Sequence, residues 1–472
     1  MLRRSIAGLA ALAVVVVAAV GVQAETDIRS MPLAMTDVHI PRSDFGEPSI
    51  ALTRRGTVLL CGPTGFPGGR NAFLRSEDWV DFQRTDVFDR TGGGDCDLKV
   101  GPDGAIYTAN LQLWASAVRK SVDDGLTFDY QSTEDAVEQD RQWLATDPVD
   151  GSIVYMGYHD LSVGAIVIAK SLDGARTFPI HSLVSTDPIH VARSGRQTFP
   201  GPVRVDPTAH ERVYMVWSAG DAVDCVDAQD AQGCAFRPHR KVLVGRSEDG
   251  GLTWTNHVAM EAPLGSKLSN LIPWMTVDDA GNLYVVAAGW VVDPLTGART
   301  NGLFMAASTD RGTSWTGPIK VNTGTGAVVF PAVIAGAPGV VDLAWVESSV
   351  DDSDDIGGVW RLGFAQTRNA NAAAPDFSEV EGPIVHRGDV CTRGLLCTLG
   401  GDRTLLDFID ITLDEFGFAH VAATSTEPHP DPGAVRHVVW WRQDAGPSAL
   451  TEPCVPACVS ERPIRLPAYR PY

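Results

Sequence analysis

The stretch that decides the fold is Ser247–Trp254, which reads SEDGGLTW. An aspartate such as Asp249 accepts backbone N–H bonds across a tight connection, and a glycine such as Gly251 adopts positive φ without steric cost. The serine and threonine hydroxyls bond locally, and the terminal tryptophan can anchor the next strand between neighbouring sheets. The stretch therefore predicts a tight turn that joins two β-strands.

The same pattern occurs three more times with small changes, at Ser121–Phe128 (SVDDGLTF), Ser171–Phe178 (SLDGARTF) and Ser308–Trp315 (STDRGTSW). A degraded fifth copy keeps Ser76, Asp78 and Phe82. The pattern resembles the Asp-box, or BNR repeat, of sialidases and related β-propellers, and blade-sized spacing is typical of propeller repeats. The resemblance implies an all-β propeller of four-stranded antiparallel blades, with a box in the turn between the third and fourth strands.

A second repeat is a short hairpin with turn residues at its connection, and it occurs seven times. The paired segments are Pro48–Leu52 with Gly56–Leu60, Leu98–Val100 with Asp103–Tyr107, Trp143–Asp147 with Gly151–Met156, Val203–Asp206 with Arg212–Trp217, Trp274–Asp278 with Gly281–Val286, Pro331–Ile334 with Gly339–Val346, and Phe408–Leu413 with Gly417–Ala422. Seven inner hairpins predict seven blades. A six-bladed ring is the alternative, because the sixth and seventh units have no clean box.

The N-terminus has the features of an export signal. Arg3 and Arg4 precede an apolar run, and small residues around Ala24 follow it, which predicts a signal peptide over residues 1–24. A retained N-terminal anchor is the alternative. We therefore expect a secreted or periplasmic protein that has no membrane span after cleavage.

The mature chain divides into a propeller and a tail. Residues 25–453 form the propeller, in which Asp37–Ile40 supplies the outer strand of the last blade. This strand closes the ring between the chain ends and removes exposed sheet edges. Residues 454–472 form a proline-rich C-terminal tail that contains a small disulfide loop.

All eight cysteines lie beyond residue 24, an even number that suits structural disulfides in an oxidising compartment. Their spacing favours three short-range pairs: Cys225 with Cys234, Cys391 with Cys397, and Cys454 with Cys458. The two cysteines that remain, Cys61 and Cys96, fall on adjacent blades, and we expect them to pair. A zinc site is disfavoured, because no cysteine pair stands near a second pair with histidine at zinc spacing.

The chain carries 58 acidic and 38 basic residues, for a formal net charge of −20. Such a surface repels nucleic acid and anionic membranes and favours solubility. We therefore expect neither a nucleic-acid partner nor membrane binding, and we expect a monomer.

The resemblance also implies which face of the propeller carries the chemistry. The boxes share one face with the turns between the first and second strands, and the active site of sialidase-like proteins lies on the opposite face. Candidate catalytic acids near that face are Glu47, Asp95, Asp97 and Asp160. Glycosidase chemistry needs two carboxyls, or a carboxylate-activated nucleophile, beside the glycosidic bond. Asp140 beside Arg141 is equally well interpreted as an ion pair that ties blades together.

Candidate substrate-binding residues are the arginines, tryptophans and one histidine near the same face: Arg141, Arg196, Arg403, Trp217, Trp290 and His159. Arginines can clamp an anionic sugar with paired hydrogen bonds, and tryptophans can stack on sugar rings. The alternative roles are structural, because blades pack against one another through large aromatic residues and a lone histidine is commonly a hydrogen-bonded structural residue.

One sialidase motif is not intact. Phe45–Pro48 (FGEP) corresponds to the F/Y-R-I-P motif that opens the first blade of sialidases, and Gly46 stands where the arginine belongs. Exo-sialidase activity is therefore not expected.

An acidic segment suggests a separate ion site. Asp351, Asp352, Asp354 and Asp355 offer clustered carboxylates of the kind that Ca²⁺ binds. The segment has no glutamate at the twelfth position of an EF-hand loop, and a solvated acidic loop is the other interpretation. No other cofactor is expected.

Two functions remain open at the level of sequence. The first is a propeller that acts on or binds extracellular glycans, with glycoside hydrolase as the enzyme class. The second is a non-catalytic propeller scaffold that binds a protein partner. A fold of this kind carries many functions, so the functional residues must decide between them.

Overall fold

The computed structural model describes residues 32–450 except 65–69, 86–93, 113–114, 129, 134–138, 161, 163, 186–199, 221–237, 394–396, 398–399 and 429–433. The predicted signal peptide and C-terminal tail lie outside this described part. Within it, 28 β-strands form seven four-stranded antiparallel sheets, and no α-helix is present. None of the described residues belongs to a helix with the length and apolar character needed to cross a bilayer.

Each sheet is one blade of a propeller, and its strands follow one another outward from the axis. Blades 1 to 4 consist of β2 (Ser49–Leu52), β3 (Val58–Pro63), β4 (Asn71–Ser76) and β5 (Gln83–Thr85); β6 (Cys96–Val100), β7 (Ile106–Gln112), β8 (Ala115–Ser121) and β9 (Tyr130–Thr133); β10 (Gln139–Thr146), β11 (Val154–Asp160), β12 (Ala165–Ser171) and β13 (Ile180–Leu183); and β14 (Pro200–Asp206), β15 (Ala209–Ala219), β16 (Lys241–Ser247) and β17 (Thr255–Glu261). Blades 5 to 7 consist of β18 (Trp274–Val277), β19 (Leu283–Val292), β20 (Arg299–Ser308) and β21 (Thr316–Lys320); β22 (Val328–Ala335), β23 (Val341–Ser348), β24 (Val359–Thr367) and β25 (Ser378–Arg387); and β26 (Asp410–Leu413), β27 (Ala419–Ser425), β28 (His437–Ala445) and β1 (Ala34–His39).

The first strands of the blades form a closed inner ring. Strands β2, β6, β10, β14, β18, β22 and β26 contact one another in that order, and β26 also contacts β2. In the seventh blade, β1 pairs antiparallel with β28, with Asp37 opposite Trp441, so the two ends of the described chain meet in one sheet. The predicted seven-bladed propeller is confirmed, and the six-bladed alternative is excluded.

The turns predicted from the repeated motif join the third and fourth strands of blades 2 to 5, and we call them the aspartate turns. In the turn of blade 4, Asp249 Oδ1 accepts hydrogen bonds from the backbone N–H groups of Leu252 and Thr253, and Asp249 Oδ2 accepts one from Thr253 Oγ1 at 2.6 Å. Asp123, Asp173 and Asp310 make equivalent bonds. The motif therefore codes for a local hydrogen-bond network that holds the outer strand in place.

Three aromatic side chains from non-adjacent blades meet at the centre of the ring. The Trp143 ring of blade 3 lies 4.9 Å from the Trp274 ring of blade 5 and 5.5 Å from the Phe408 ring, which precedes blade 7. All three side chains are buried, and Trp143 Nε1 donates to the Pro200 carbonyl of blade 4 at 2.8 Å. Because blades 3, 5 and 7 do not adjoin, these contacts cross the axis and fill the centre of the propeller.

Two disulfides lie in the described part of the chain. Cys61 of blade 1 bonds to Cys96 of blade 2, and Cys391 bonds to Cys397 in the segment between blades 6 and 7. Both pairings agree with the sequence prediction. The other two predicted pairs, Cys225 with Cys234 and Cys454 with Cys458, lie outside the described residues.

Candidate functional site

The connections between successive blades lie on one face of the propeller, which we call the loop face, and the aspartate turns lie on the opposite face, the turn face. Charged residues gather on the loop face where the first strands of four adjacent blades begin. We call this group the axial cluster: Glu47 of blade 1, Asp95 of blade 2, Asp140 and Arg141 of blade 3, and Arg403 and Asp407 of blade 7. The inner ring of strands brings together residues that are up to about 360 positions apart in the sequence.

Arg141 is the central member of the axial cluster. The pairing of β10 with β11 is irregular between Asp140 and Trp143, and Arg141 within this bulge has a φ of 57°. Bulges of this kind re-aim a side chain. The guanidinium carbon lies 3.8 Å from the centre of the Phe408 ring and 4.3 Å from that of Trp143, so the cation stacks on the aromatic centre of the propeller.

Two carboxyls flank the Arg141 guanidinium. Arg141 Nη1 lies 3.0 Å from Asp95 Oδ1 and 3.9 Å from Glu47 Oε2. Burial raises the pKa of Glu47 well above its usual range, and the neighbouring charge of Asp95 raises it further. Burial opposes ionisation of Asp95 as well, but the charge of Arg141 and hydrogen bonds from Glu47 and Arg141 hold the pKa of Asp95 below its ordinary value. Glu47 is therefore the carboxyl that favours the protonated form, and Asp95 beside it favours the ionised form.

Asp140 is the second carboxyl that holds a proton. Burial and the negative charge of Asp95 raise the pKa of Asp140 to about 7, although the charges of Arg141 and Arg403 act in the opposite direction. A carboxyl with this pKa is available both as a proton donor and as a proton acceptor near neutral pH.

Arg403 and Asp407 complete the cluster from blade 7. Arg403 Nε lies 3.2 Å from Asp407 Oδ1, and a second guanidinium nitrogen of Arg403 contacts Asp407 Oδ2, so the ion pair is bidentate. Burial disfavours the charge on Arg403, but the carboxylate of Asp407 outweighs burial and raises the pKa of Arg403. The side chains of Arg403 and Asp407 keep 21% and 16% of their surface exposed, so this pair faces outward from the cluster.

A buried histidine lies on the neighbouring strand. His159 of β11 stands opposite Asp140 in the pairing of β10 with β11. Burial lowers the pKa of His159 to about 4, despite the opposing charge of Asp160, so its ring is neutral. The Nε2 atom of His159 is buried and has no hydrogen-bond partner among the described residues. His159 thus lies beside the axial cluster as a neutral polar group.

The structure also explains the glycine in the altered sialidase motif. A Cβ atom on Gly46 would lie 2.8 Å from Leu406 Cδ1 and 3.3 Å from Arg436 Nη1. A side chain at position 46 would have to displace Leu406, while Arg436 of blade 7 lies where that side chain would point. A larger residue at position 46 is therefore accommodated only if the side chains of Leu406 and Arg436 move.

Four of the predicted site residues meet in the axial cluster: Glu47, Asp95, Arg141 and Arg403. Asp97 does not join them, because its fully buried carboxylate accepts hydrogen bonds from the Ser49 hydroxyl, the Leu144 N–H and the Lys99 ammonium. Those contacts tie neighbouring inner strands together, which is a structural role. Asp160 lies at the end of β11 and accepts hydrogen bonds from the N–H and hydroxyl of Ser162.

The predicted aromatic ligands are placed differently from the expectation. Trp217 is fully buried in the hydrophobic core, so no face of its ring is open to a sugar. Trp290 is partly exposed on the loop face at the end of β19, but the Arg299 guanidinium stacks on its ring with 3.9 Å between Cζ and the ring centre. Arg196 lies outside the described residues.

The acidic segment of blade 6 is held by turns and one ion pair. Asp352 Oδ1 accepts from the Asp354 N–H, Asp355 Oδ1 accepts from the Gly357 N–H, and Asp354 Oδ2 lies 3.0 Å from Arg393 Nη1. Over the described ranges, no group of three or more histidine, cysteine or acidic residues is arranged to hold a metal ion. The calcium hypothesis therefore gains no support from the geometry of Asp351 and its neighbours.

The sequence prediction missed three members or neighbours of the cluster. Asp140 was interpreted only as an ion-pair partner of Arg141, and Asp407 and Arg436 were not singled out. Asp407 follows Arg403 by four residues in the segment that leads into β26, a position like that of the other predicted acids. Arg436 gave no comparable signal, because it precedes a third strand, β28, and approaches the cluster only through the folding of blade 7.

No family model matches this chain, and no curated protein matches it. Several solved structures are similar. A protein of unknown function from Dyadobacter fermentans is 14% identical, with 87% of this chain and 99% of that chain covered and a TM-score of 0.47. The α-L-arabinofuranosidase Arb93A from Fusarium graminearum is 10% identical, covering 87% and 97%, with a TM-score of 0.44. A polysaccharide lyase of family PL25, an ulvan lyase, is 12% identical, covering 84% and 78%, with a TM-score of 0.37. The function of this chain therefore rests on its own side chains.

Proposed function

We propose that this protein is a glycan-active propeller that cleaves glycosidic bonds at the axial cluster. The observation that carries the proposal is the divergence of protonation among neighbouring carboxyls. Glu47 and Asp140 have raised pKa values, whereas that of Asp95 is lowered, and all three adjoin Arg141. Pairs of carboxyls whose environments drive their pKa values apart are the usual basis for dividing acid and base roles in an active site.

Glycosidic cleavage requires a proton for the leaving oxygen and a carboxylate near the anomeric carbon. In our proposal Asp140 supplies the proton, because its pKa of about 7 leaves it protonated in mildly acidic solution. The ionised Asp95 acts on the anomeric carbon, directly or through a water molecule. Glu47 is a positioning residue, since its protonated carboxyl beside Asp95 can donate a hydrogen bond to that carboxylate, and its own side chain keeps only 3% of its surface exposed.

The exposure of the side chains supports the same division of roles. The side chain of Asp95 keeps 14% of its surface exposed, compared with 7% for Arg141. Asp95 and the outward-facing pair of Arg403 and Asp407 are therefore charged groups that a ligand on the loop face can touch. Arg403 binds a sugar substituent, and Arg141 stabilises the charge on Asp95 from below.

We do not include sialic acid among the proposed substrates. Gly46 stands where the sialidase motif has an arginine, and the side chains of Leu406 and Arg436 occupy the space beside it. The proposal is therefore glycoside hydrolysis of another extracellular glycan.

The experiment is a screen of the purified protein against polysaccharides and chromogenic glycosides, followed by variants on the substrate that is turned over. Asp95→Asn keeps the size of the side chain and removes its charge, and we expect it to lower kcat/KM on the order of 10²–10⁴-fold. Asp249→Asn is the matched control, because Asp249 lies in an aspartate turn on the turn face, and it should retain wild-type turnover. Equal activity of Asp95→Asn and wild type would refute the site.

Glu47 is tested by two substitutions that separate positioning from chemistry. Glu47→Gln keeps a hydrogen-bond donor to Asp95, so it should keep most of the activity and leave the acidic limb of the pH profile in place. Glu47→Ala removes the donor, so the pKa of Asp95 should rise and the acidic limb should move to higher pH. Loss of activity with both variants and no movement of that limb would contradict the positioning role.

A second candidate function is a non-catalytic scaffold for a protein partner. The observation that favours it is the number of blades tied together by the same charges, because Arg141 contacts residues of blades 1, 2 and 7. A scaffold should be silent in both the glycan-binding and the turnover screens, and its Asp95→Asn variant should lose stability without losing any activity.

We propose that the protein works outside the cytoplasm as a monomer. The apolar N-terminal run and the Cys61–Cys96 bond support export to an oxidising compartment. Expression of the full chain followed by fractionation, with the mature N-terminus determined by mass spectrometry, tests the predicted cleavage after Ala24. A protein found uncleaved in the cytoplasm would overturn it.

A further inference from the structure

A second charged group occupies the loop face on the far side of the ring, at blades 5 to 7. We call it the cationic patch: Lys267, which precedes β18, Trp290 at the end of β19, Arg299 at the start of β20, and Thr392 and Arg393, which precede β26. None of these residues belongs to the axial cluster. Three cations are neighbours here, and the acidic segment Asp351–Asp355 borders them, with Asp354 paired to Arg393.

The backbone fixes Lys267 and Trp290 against each other. Their N–H and carbonyl groups exchange two hydrogen bonds, of 2.9 and 2.8 Å. The approach is so close that a Cβ atom on Gly289 would lie 2.0 Å from the Lys267 carbonyl oxygen, which requires glycine at that position. The Trp290 indole N–H donates to the Gly265 carbonyl at 3.0 Å, so the ring is held as well. The patch is thus preorganised by main-chain contacts.

The Lys267 ammonium has donors available for a ligand. An ammonium has three N–H donors, and Nζ of Lys267 makes one hydrogen bond to a described residue, to Thr392 Oγ1 at 2.8 Å. Burial, together with the charges of Arg299 and Arg393, lowers the pKa of Lys267 to about 8 against the opposing charges of Asp354 and Asp352. An oxyanion beside Nζ would accept the remaining donors and stabilise the charged form.

The two arginines differ in how they are held. Arg393 pairs with Asp354 at 3.0 Å. The guanidinium of Arg299 donates to the Asn301 side chain and the Asp351 carbonyl and stacks on Trp290, and it makes no ion pair with a described residue. Lys267 likewise makes no ion pair within the described part of the chain. Among the described residues, Arg393 is thus the one cation of the patch that forms an ion pair, while the charges of Asp354 and Asp352 reach Lys267 without direct contact.

We propose that the cationic patch binds an acidic group of a glycan, a carboxylate or a sulfate ester, through Lys267 and Arg299. This extends the proposed function and rests on it in one respect: the axial cluster would then act on an anionic polysaccharide that lies across the loop face. Trp290 serves as the support for Arg299 instead of a stacking platform for a sugar, because the guanidinium covers its ring.

The experiment measures binding of three polymers by affinity electrophoresis and titration calorimetry: polygalacturonate, which carries carboxylates, dextran sulfate, which carries sulfate esters, and uncharged dextran. The proteins are the wild type, Lys267→Met and Arg299→Gln, all as the full mature chain. The control is Arg54→Gln, which removes one cation from an exposed turn between β2 and β3 on the turn face. Arg299 is exposed, so its variant should fold even if Lys267→Met does not.

We expect wild type and Arg54→Gln to bind at least one acidic polymer and not dextran. Lys267→Met and Arg299→Gln should each weaken that binding about tenfold, and the affinity should fall with added salt. Binding of polygalacturonate alone identifies a carboxylate ligand, and binding of dextran sulfate alone identifies a sulfate ligand. Absence of acidic-polymer binding, or equal affinities of all four proteins, would overturn the proposal.

The same proteins separate this inference from the proposed function. Asp95→Asn should keep the affinity for the acidic polymer while it loses turnover. If the wild type binds the polymer through Lys267 and Arg299 but cleaves no glycan in the screen, the hydrolase proposal fails and the anion-binding site stands. If the protein cleaves a glycan at the axial cluster but binds no acidic polymer, or binds it equally well in all four proteins, the anion-binding site fails alone.

Discussion

The aspartate turns and the axial cluster use the same functional group in opposite ways. In the turns, hydrogen bonds from the motif's own serine, threonine and backbone N–H groups lower the pKa of Asp310 to about 2, and for Asp249 they together outweigh the opposing effect of burial and give the same value. In the cluster, burial and neighbouring negative charge raise the pKa values of Glu47 and Asp140. The difference lies in where the partners come from.

Partners supplied by the same eight residues make a carboxylate permanently charged and structural. In the axial cluster the partners come from other blades, and several carboxyls lie beside the same cation, Arg141. One cation cannot stabilise the charge of all of them, so some of these carboxyls keep a proton. A carboxyl with a pKa near neutral pH can act as a general acid or base at that pH. A carboxyl that ionises near pH 2 cannot donate a proton at neutral pH. The two faces of this propeller therefore differ in chemistry although both are rich in aspartate.

The largest effect on stability should come from removing the shared cation. Arg141→Met keeps an apolar contact with Phe408 and Trp143 but leaves the charge of Asp95 buried without its partner. We expect a loss of about 3–5 kcal/mol in the free energy of unfolding at pH 8, measured by urea denaturation. The loss should shrink toward pH 4, because Asp95 then takes up a proton in the variant. The control is Arg55→Met, at an exposed position in a turn. A similarly small loss of unfolding free energy in both variants would show that Arg141 does not hold the cluster together.

A smaller loss of stability is expected when the aspartate of one aspartate turn is removed. Asp249→Ala removes the acceptor of the Thr253 and Leu252 hydrogen bonds, and we expect a loss of about 1–2 kcal/mol, moderated by the exposure of the turn. Since the pKa of Asp249 is lowered to about 2 on folding, its contribution is full above about pH 4 and falls as the pH drops toward 2. Thermal melts at pH 7 and pH 2.5 measure this. A loss of glycan turnover in this variant would break the distinction between the two faces.

The smallest effect should have the opposite sign. Asp140 has a raised pKa of about 7, so the folded state binds a proton that the unfolded state releases near pH 4, and wild type loses stability as the pH rises from about 4 to 7. Asp140→Asn does not carry this cost and should be more stable than wild type by on the order of 1 kcal/mol above pH 7, with no difference near pH 4. A variant that is destabilised equally at both pH values would contradict a protonated Asp140.

The sequence predicted the blades well because turns and hairpins are local. Ser247–Trp254 contains every donor and acceptor of its own turn, so the motif alone predicts the conformation. The same sequence reasoning predicts Asp97 as a catalytic candidate, because the partners of Asp97 are not local. Ser49 and Leu144 lie on other blades, and no local pattern reveals that they satisfy its carboxylate. Trp217 could not be distinguished from Trp290, because their burial depends on how neighbouring blades pack.

The roles within the axial cluster escaped prediction for a related physical reason. Protonation depends on burial and on distances among groups from four blades, and no local pattern in the sequence reveals that burial and the charge of Asp95 raise the pKa of Asp140. Arg436 lies close to Gly46 in space although the two residues are almost 400 positions apart in the sequence. Spacing in the sequence therefore gives no sign of this contact. The sequence therefore predicted which side chains start the inner strands and not which of them share a proton.

The central claim is that carboxyls of the axial cluster and of the aspartate turns differ in pKa. Its most direct test is a pH titration of the aspartate side-chain carbons by NMR, with ¹³C-labelled aspartate in the wild type, Asp140→Asn and Asp249→Asn. We predict one resonance that titrates near pH 7 and disappears in Asp140→Asn, and one that titrates near pH 2 and disappears in Asp249→Asn. If both variants instead remove resonances that titrate near pH 4, the ordinary value for aspartate, the distinction between the axial cluster and the aspartate turns is contradicted.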